Sequence, residues 1–180
     1  MIVCTPGGAS DNSYVTLAQA NAYYANTLRQ SEWTAHAVAQ HERALIQATT
    51  EIEALGGPKA ADDDATRPLF TGTPYDRDAQ ALHFPRTVDV ADDSSLYIPP
   101  AIREAVIEQA LWLLDRLVNP DVLDRDELQA QGVRSISIEG HSEQYVDSTR
   151  PYGICTRAAG LVGLFTKTSG IGRTHARARR

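Results

Sequence analysis

The sequence predicts a mainly α protein: a small bundle of three main helices, with a β-hairpin and extended N- and C-terminal arms. Three observations lead there. Apolar residues recur at spacings of three and four in three separate stretches, the period of a helix with one buried face. The stops between them are strong, Gly56-Gly57-Pro58 after the second and Pro120 after the third. Only Gly132–Asp147 shifts to a strand-like period. The chain has 180 residues, enough for one domain with a core plus extensions, and 42% of them are hydrophobic.

Residues 1–13 are polar and Gly-rich and are expected to form an arm. The first helix lies within SYVTLAQANAYYANTLRQ. Thr16 followed by Gln19 fits a capping box, and Leu17, Ala20, Tyr24 and Leu28 would share its buried face. The second helix is expected from about Thr34 to Leu55, capped by Ser31 or Thr34. Val38, His41, Leu45, Ala48, Ile52 and Leu55 mark its apolar stripe, with His41 read as a packed side chain rather than a ligand. Residues 58–98 hold four prolines and two acidic clusters and form the long loop. Within it, Leu82 and Phe84 of ALHFPRTV are the expected core plugs.

The third helix opens on Pro99-Pro100, since proline suits a first turn. It runs for about 19 residues. Its stripe is Ile102, Val106, Leu113 and Leu117, widened by Ala105, Ala110 and Leu114. A hairpin is expected at about 132–147, turning at Gly140-His141 and short enough to need a neighbour. From 148 to 180 five glycines interrupt the apolar clusters, which predicts an extended basic tail that orders on a partner surface. The domain reading is therefore an arm at 1–13, a helical domain at 14–147 and a tail at 148–180.

Charge is segregated. All 23 acids lie at or before Asp147, against ten Lys and Arg there, so residues 1–147 carry −13. The remaining seven basic residues lie in 148–180 with no acid, giving +7. Such a split suggests a partner. As a nucleic-acid element the tail would act through phosphates, without base readout. The acidic body would repel a polyanion, and aromatics do not interleave with the basic residues as a stacking platform requires.

Catalytic chemistry finds little footing. There is no G-x-S-x-G, Walker loop or G-x-G-x-x-G, and the five histidines form no metal spacing. Asp62-Asp63-Asp64 lacks the alternation, glycine and distal Glu of a Ca²⁺ loop. Cys4 and Cys155 read as two reduced thiols. No enzyme activity, catalytic residue, cofactor or metal is expected. MIVCTPGGASDNSY has no basic n-region and no useful h-region, and no apolar run approaches 18 residues, so neither a signal peptide nor a membrane span is expected.

The ordered blocks SYVTLAQANAYY, Trp33, RALIQATTEIEAL, LHFPR, IPPAIREAVIEQALWLL and GVRSISIEGHSEQY resemble a family of tailed-phage neck proteins. Many of its members are described as DnaT-like single-stranded-DNA-binding proteins. Ile98, Pro99, Ile102 and Ala105 match the family's helix opening, and Phe84-Pro85-Arg86 stands where the family usually has Trp-Pro-Arg. The resemblance spans about residues 13 to 147 and leaves the last 33 residues uncovered.

It implies a head–tail connector (adaptor) in the neck of a virion made in the bacterial cytoplasm. Such a protein is a structural homo-oligomeric ring, typically of twelve copies, joining the portal protein to a stopper or tail-terminator protein. Contact with genomic DNA in the channel would be non-specific. In that setting the tail is expected to dock on the portal through Leu161, Leu164, Phe165, Lys167, Arg173, Arg177, Arg179 and Arg180. The alternative implied by the DnaT-like description is a single-stranded-DNA-binding protein using the same tail.

Overall fold

The computed structural model describes residues 1–56, 70–76, 78–118 and 153–166, with the backbone of 135–138 and 141–144. The fold is mainly α. Helix α1, Leu17–Ala25, starts on the expected box: the Gln19 amide donates to Thr16 Oγ1 (3.2 Å), and the Thr16 amide donates to Gln19 Oε1 (2.9 Å). It buries Ala20 and Tyr24. It stops before Leu28, because the Asn26 and Thr27 amides turn back to the carbonyls of Tyr23 and Tyr24. Leu28 is therefore fully exposed rather than part of the buried face.

A separate short helix, α2 at Gln30–Thr34, plants Trp33 in the core. Thr34 ends this helix, its hydroxyl donating to the Gln30 carbonyl, so it does not cap the next. Helix α3 begins four residues later and runs Val38–Gly56. It buries His41, Leu45, Ala48 and Ile52, while Val38 in its first turn is exposed. His41 stacks on Trp33 at 4.1 Å, which in turn stacks on Tyr24 at 4.8 Å, and His41 Nε2 lies 2.8 Å from the Trp33 carbonyl. Gly56 is the last residue of α3, where a Cβ would stand 2.6 Å from the Phe70 ring. Gly57, Pro58 and the rest of 57–69 lie outside the described residues.

Helix α4, Pro100–Val118, opens where the prolines predict. Its burial is broader than a stripe: residues 105–111 are all buried, together with Ile102 and Leu114. The cause is packing on several sides, by α3, by α2 and by the C-terminal helix. Towards its end the cover falls away, leaving Leu113 half-buried and Leu117 exposed, against expectation.

The C-terminal region departs most from expectation. Residues 156–165 are helical and packed, not extended: α5 spans Thr156–Val162 and a 3₁₀ turn spans Gly163–Phe165. Ala158, Ala159 and Val162 are buried, and α5 lies on α4. Glycine is tolerated because Gly160 is exposed with nothing within 4 Å of a Cβ, while Gly163 caps the helix. The first thirteen residues are likewise no extended arm. They fold back, with the Val3 amide donating to Asn12 Oδ1 and the Asn12 amide to the Val3 carbonyl. Asp11 receives the amides of Thr5 and Gly8, and the Gly8 carbonyl receives that of Ala81.

Strands β1, Ser135–Ile138, and β2, His141–Gln144, pair antiparallel with Ile138 opposite His141. The two residues between them are therefore 139 and 140, not Gly140-His141. The fold class rests on the helices.

The loop from Phe70 to Ile98 is organised by Arg86, which is 4% exposed. Its guanidinium donates to four carbonyls: Thr71 (3.1 Å), His83 (3.3 Å), Phe70 (2.9 Å) and Gly72 (2.7 Å). The charge also lies over the rings of Phe84 and Phe70. Only a planar fork with five donors spans such an arrangement, and an ammonium does not. Arg86→Lys should therefore lower the unfolding free energy by about 2–3 kcal/mol, since buried carbonyls lose donors. Urea denaturation of the two chains measures it.

Candidate functional site

Two polar residues in the middle of α4 fix where the C-terminal segment sits. Glu108 is 2% exposed and accepts from three side chains. The Tyr23 hydroxyl donates to Oε1 at 2.6 Å, Arg157 Nη1 of α5 lies 3.2 Å from the same oxygen, and Arg29 Nη1 reaches Oε2 at 3.1 Å. Arg29 also pairs with Glu32 and Asp115. Next along the helix, Gln109 is fully buried. Its amide nitrogen donates to the Gly153 carbonyl (2.8 Å) and to Glu51 Oε2 (2.7 Å), while its oxygen accepts the Cys155 amide (2.8 Å).

The far end of the packed segment is tied to the loop. Phe165 meets Phe84 edge-to-face at 5.6 Å. The Thr71 amide donates to the Phe165 carbonyl at 2.6 Å, and Thr166 bridges to Phe70. Thr166 is therefore fixed beside Phe70 and Thr71. Of the expected docking residues, Leu161 is half-buried against the core, Phe165 is packed on Phe84 and Leu164 is 73% exposed. Lys167, Arg173, Arg177, Arg179 and Arg180 lie outside the described residues.

The described cations are mostly engaged with the protein itself. Arg29 and Arg157 serve Glu108, Arg86 is buried against carbonyls, and Arg116 lies over Trp112 at 4.7 Å. The residues whose side chains are described contain thirteen acids and six arginines, a charge of −7. Among them no group of His, Cys, Asp and Glu comes together to hold a metal ion, and no helix is long and apolar enough to cross a membrane.

Three further groups missed by sequence reasoning close the interior. The Tyr14 hydroxyl donates to Glu53 Oε1 and accepts the Phe84 amide at 3.1 Å, while Glu53 Oε2 takes the amide and Nδ1 of His83 at 3.0 and 2.7 Å. These bonds latch the LHFPR loop to α3. Burial pushes both thiols up, and at Cys155 it outweighs the Ala158 amide, which donates to Sγ as the cap of α5 and acts in the opposite direction.

A small mainly α body with its positive charge gathered in a terminal segment is the class of protein these features define. The chain belongs to the family described as "Putative DnaT-like ssDNA binding protein", whose model matches residues 1–180. No curated protein and no solved structure matches it.

Phenols report on the interior networks. Burial, then the Glu108 hydrogen bond and charge, push Tyr23 up to about 12. Burial is also the main cause for Tyr14 and Tyr24, with Glu53 and Glu108 adding to it. Each folded-state value is raised, so the stability these groups contribute is complete below the unfolded pKa of about 10 and is lost as pH climbs through the folded values. At about pH 11, absorbance at 295 nm should show fewer ionised tyrosines folded than the seven that titrate on unfolding. Equal absorbance would refute the networks.

Proposed function

We propose that this protein binds single-stranded DNA through the basic residues beyond Thr166, with the helical body as the carrier that positions them. The observation that supports this most is the family match across the whole chain. The charge partition supports placing the contact in the terminal segment: residues 148–180 have seven basic residues and no acid, while the described body is acidic. Binding of this kind is phosphate-directed and insensitive to sequence.

The test is fluorescence anisotropy with a labelled oligo-dT at 50 and 200 mM salt. Five contacts, from Lys167, Arg173, Arg177, Arg179 and Arg180, give a slope of about −3.5 in log affinity against log salt, or roughly a hundredfold loss over that range. Changing all five to Gln should abolish binding. A salt-independent affinity, or one that survives the five changes, refutes the proposal.

A head–tail connector is the second reading. The acidic body favours it, since a channel wall of that sign does not hold DNA. So do the exposed apolar residues Leu28, Val88, Leu117 and Leu164, which subunit contacts would cover. Because Leu161 and Phe165 already pack inward, a portal-docking tail would rely on Leu164 and the basic residues. The ring of twelve, with portal and stopper or tail-terminator partners, belongs to this reading. Stoichiometric co-sedimentation with portal rings at 200 mM salt, without DNA binding, would select it.

A further inference from the structure

We infer that the loop face built on residues 70–98 is an intramolecular docking surface for the chain's own basic segment, residues 167–180. The inference goes beyond DNA binding and stands whether or not the segment also contacts DNA.

The place where the segment starts is the first reason. The Phe165 carbonyl accepts from both the Thr71 amide and the Thr71 hydroxyl, and Thr166 bridges to Phe70. Thr166, the residue ahead of the segment, is therefore held against the first residues of the loop. The loop is one hydrogen-bonded unit from there outward. Arg86 gathers the carbonyls of Phe70, Thr71 and Gly72, and the Thr87 amide donates to Thr73 while the Tyr75 amide donates to Pro85, both at 3.0 Å. The Tyr97 amide donates to Asp89 at 3.2 Å.

The composition of this face is the second reason. Tyr75 is 50% exposed, Tyr97 41% and Val88 76%, on a loop whose core is otherwise well packed. The same loop carries exposed acids at Asp76, Asp78, Asp92 and Asp93, of which Asp76 and Asp93 also accept hydrogen bonds within their own turns. A loop that exposes both aromatic rings and acids suits arginine, which stacks on a ring and pairs with a carboxylate. The segment supplies Arg173, Arg177, Arg179 and Arg180, with no acid to compete.

Reach and concentration are the third. Fourteen residues extend to about 46 Å. A tether this short holds the segment at an effective concentration of order millimolar, so weak ion pairs suffice. Salt screens them. A polyanion has to displace the segment before binding it.

Amide spectra of the labelled full chain test this directly. Arg173→Gln, Arg177→Gln, Arg179→Gln and Arg180→Gln combined should shift the signals of Tyr75, Val88 and Tyr97 while leaving Leu45 unmoved. Asp76→Asn, Asp78→Asn, Asp92→Asn and Asp93→Asn combined should shift the segment's own signals, and about 0.5 M salt should merge parent and arginine-variant spectra. Loop signals unchanged by the arginine changes overturn the inference. Shifts that grow with protein concentration place the segment on a second copy and overturn the intramolecular form. Oligo-dT should move the parent loop signals to the arginine-variant positions. If parent and variant differ but oligo-dT moves nothing, docking stands and the DNA reading falls.

Discussion

A carboxylate and an amide sit side by side in the most enclosed part of α4, and the chain's other elements are arranged to satisfy them. Leaving either unpaired in such a place would be costly, more so for the charge. Glu108 is met by Tyr23 from α1, by Arg29 ahead of α2 and by Arg157 from α5. Gln109 is met by Glu51 from α3 and by the backbone at Gly153 and Cys155. Apolar contact alone would let neighbouring helices slide on α4. The directional bonds set one arrangement, and with it the exit point of the basic segment.

Arg86 has the corresponding role in the long loop. Four carbonyls converge on its guanidinium, two phenylalanine rings flank it, and the Asp89 carboxylate accepts its backbone amide. The loop thereby becomes a scaffold without helix or extended sheet. Glu53 ties it to α3 and the Phe165 carbonyl ties it to the C-terminal segment. The two centres meet there, since the segment that Glu108 and Gln109 hold at one end is held by the Arg86 loop at the other.

Much of the helical frame is legible in the sequence, because its signals are local. Thr16 with Gln19, Pro99-Pro100 and the three-four spacing of Leu45, Ala48 and Ile52 each act within a turn or two. What the sequence hides is non-local. Glu108 and Gln109 lie off the apolar stripe that the sequence marks, and their partners lie 44 to 85 residues away. Arg86 is legible only as part of the Phe84-Pro85-Arg86 motif, and nothing local announces the four carbonyls around it. Helix α5 is masked by its glycines and by a cysteine cap, yet Ala158, Ala159 and Val162 carry the spacing of a buried face. The candidate site was legible as charge, in the acid-free run after Asp147. Its division at Thr166 into a packed part and a basic part was not.

That division is the centre of the account, and hydrogen exchange on the full chain tests it most directly. Amides of α5 should be protected to within about tenfold of those in the middle of α4, because the two are held by the same buried pair and open together. Exchange in α5 at the rate of unfolded chain would contradict it and return the whole of 148–180 to an extended tail.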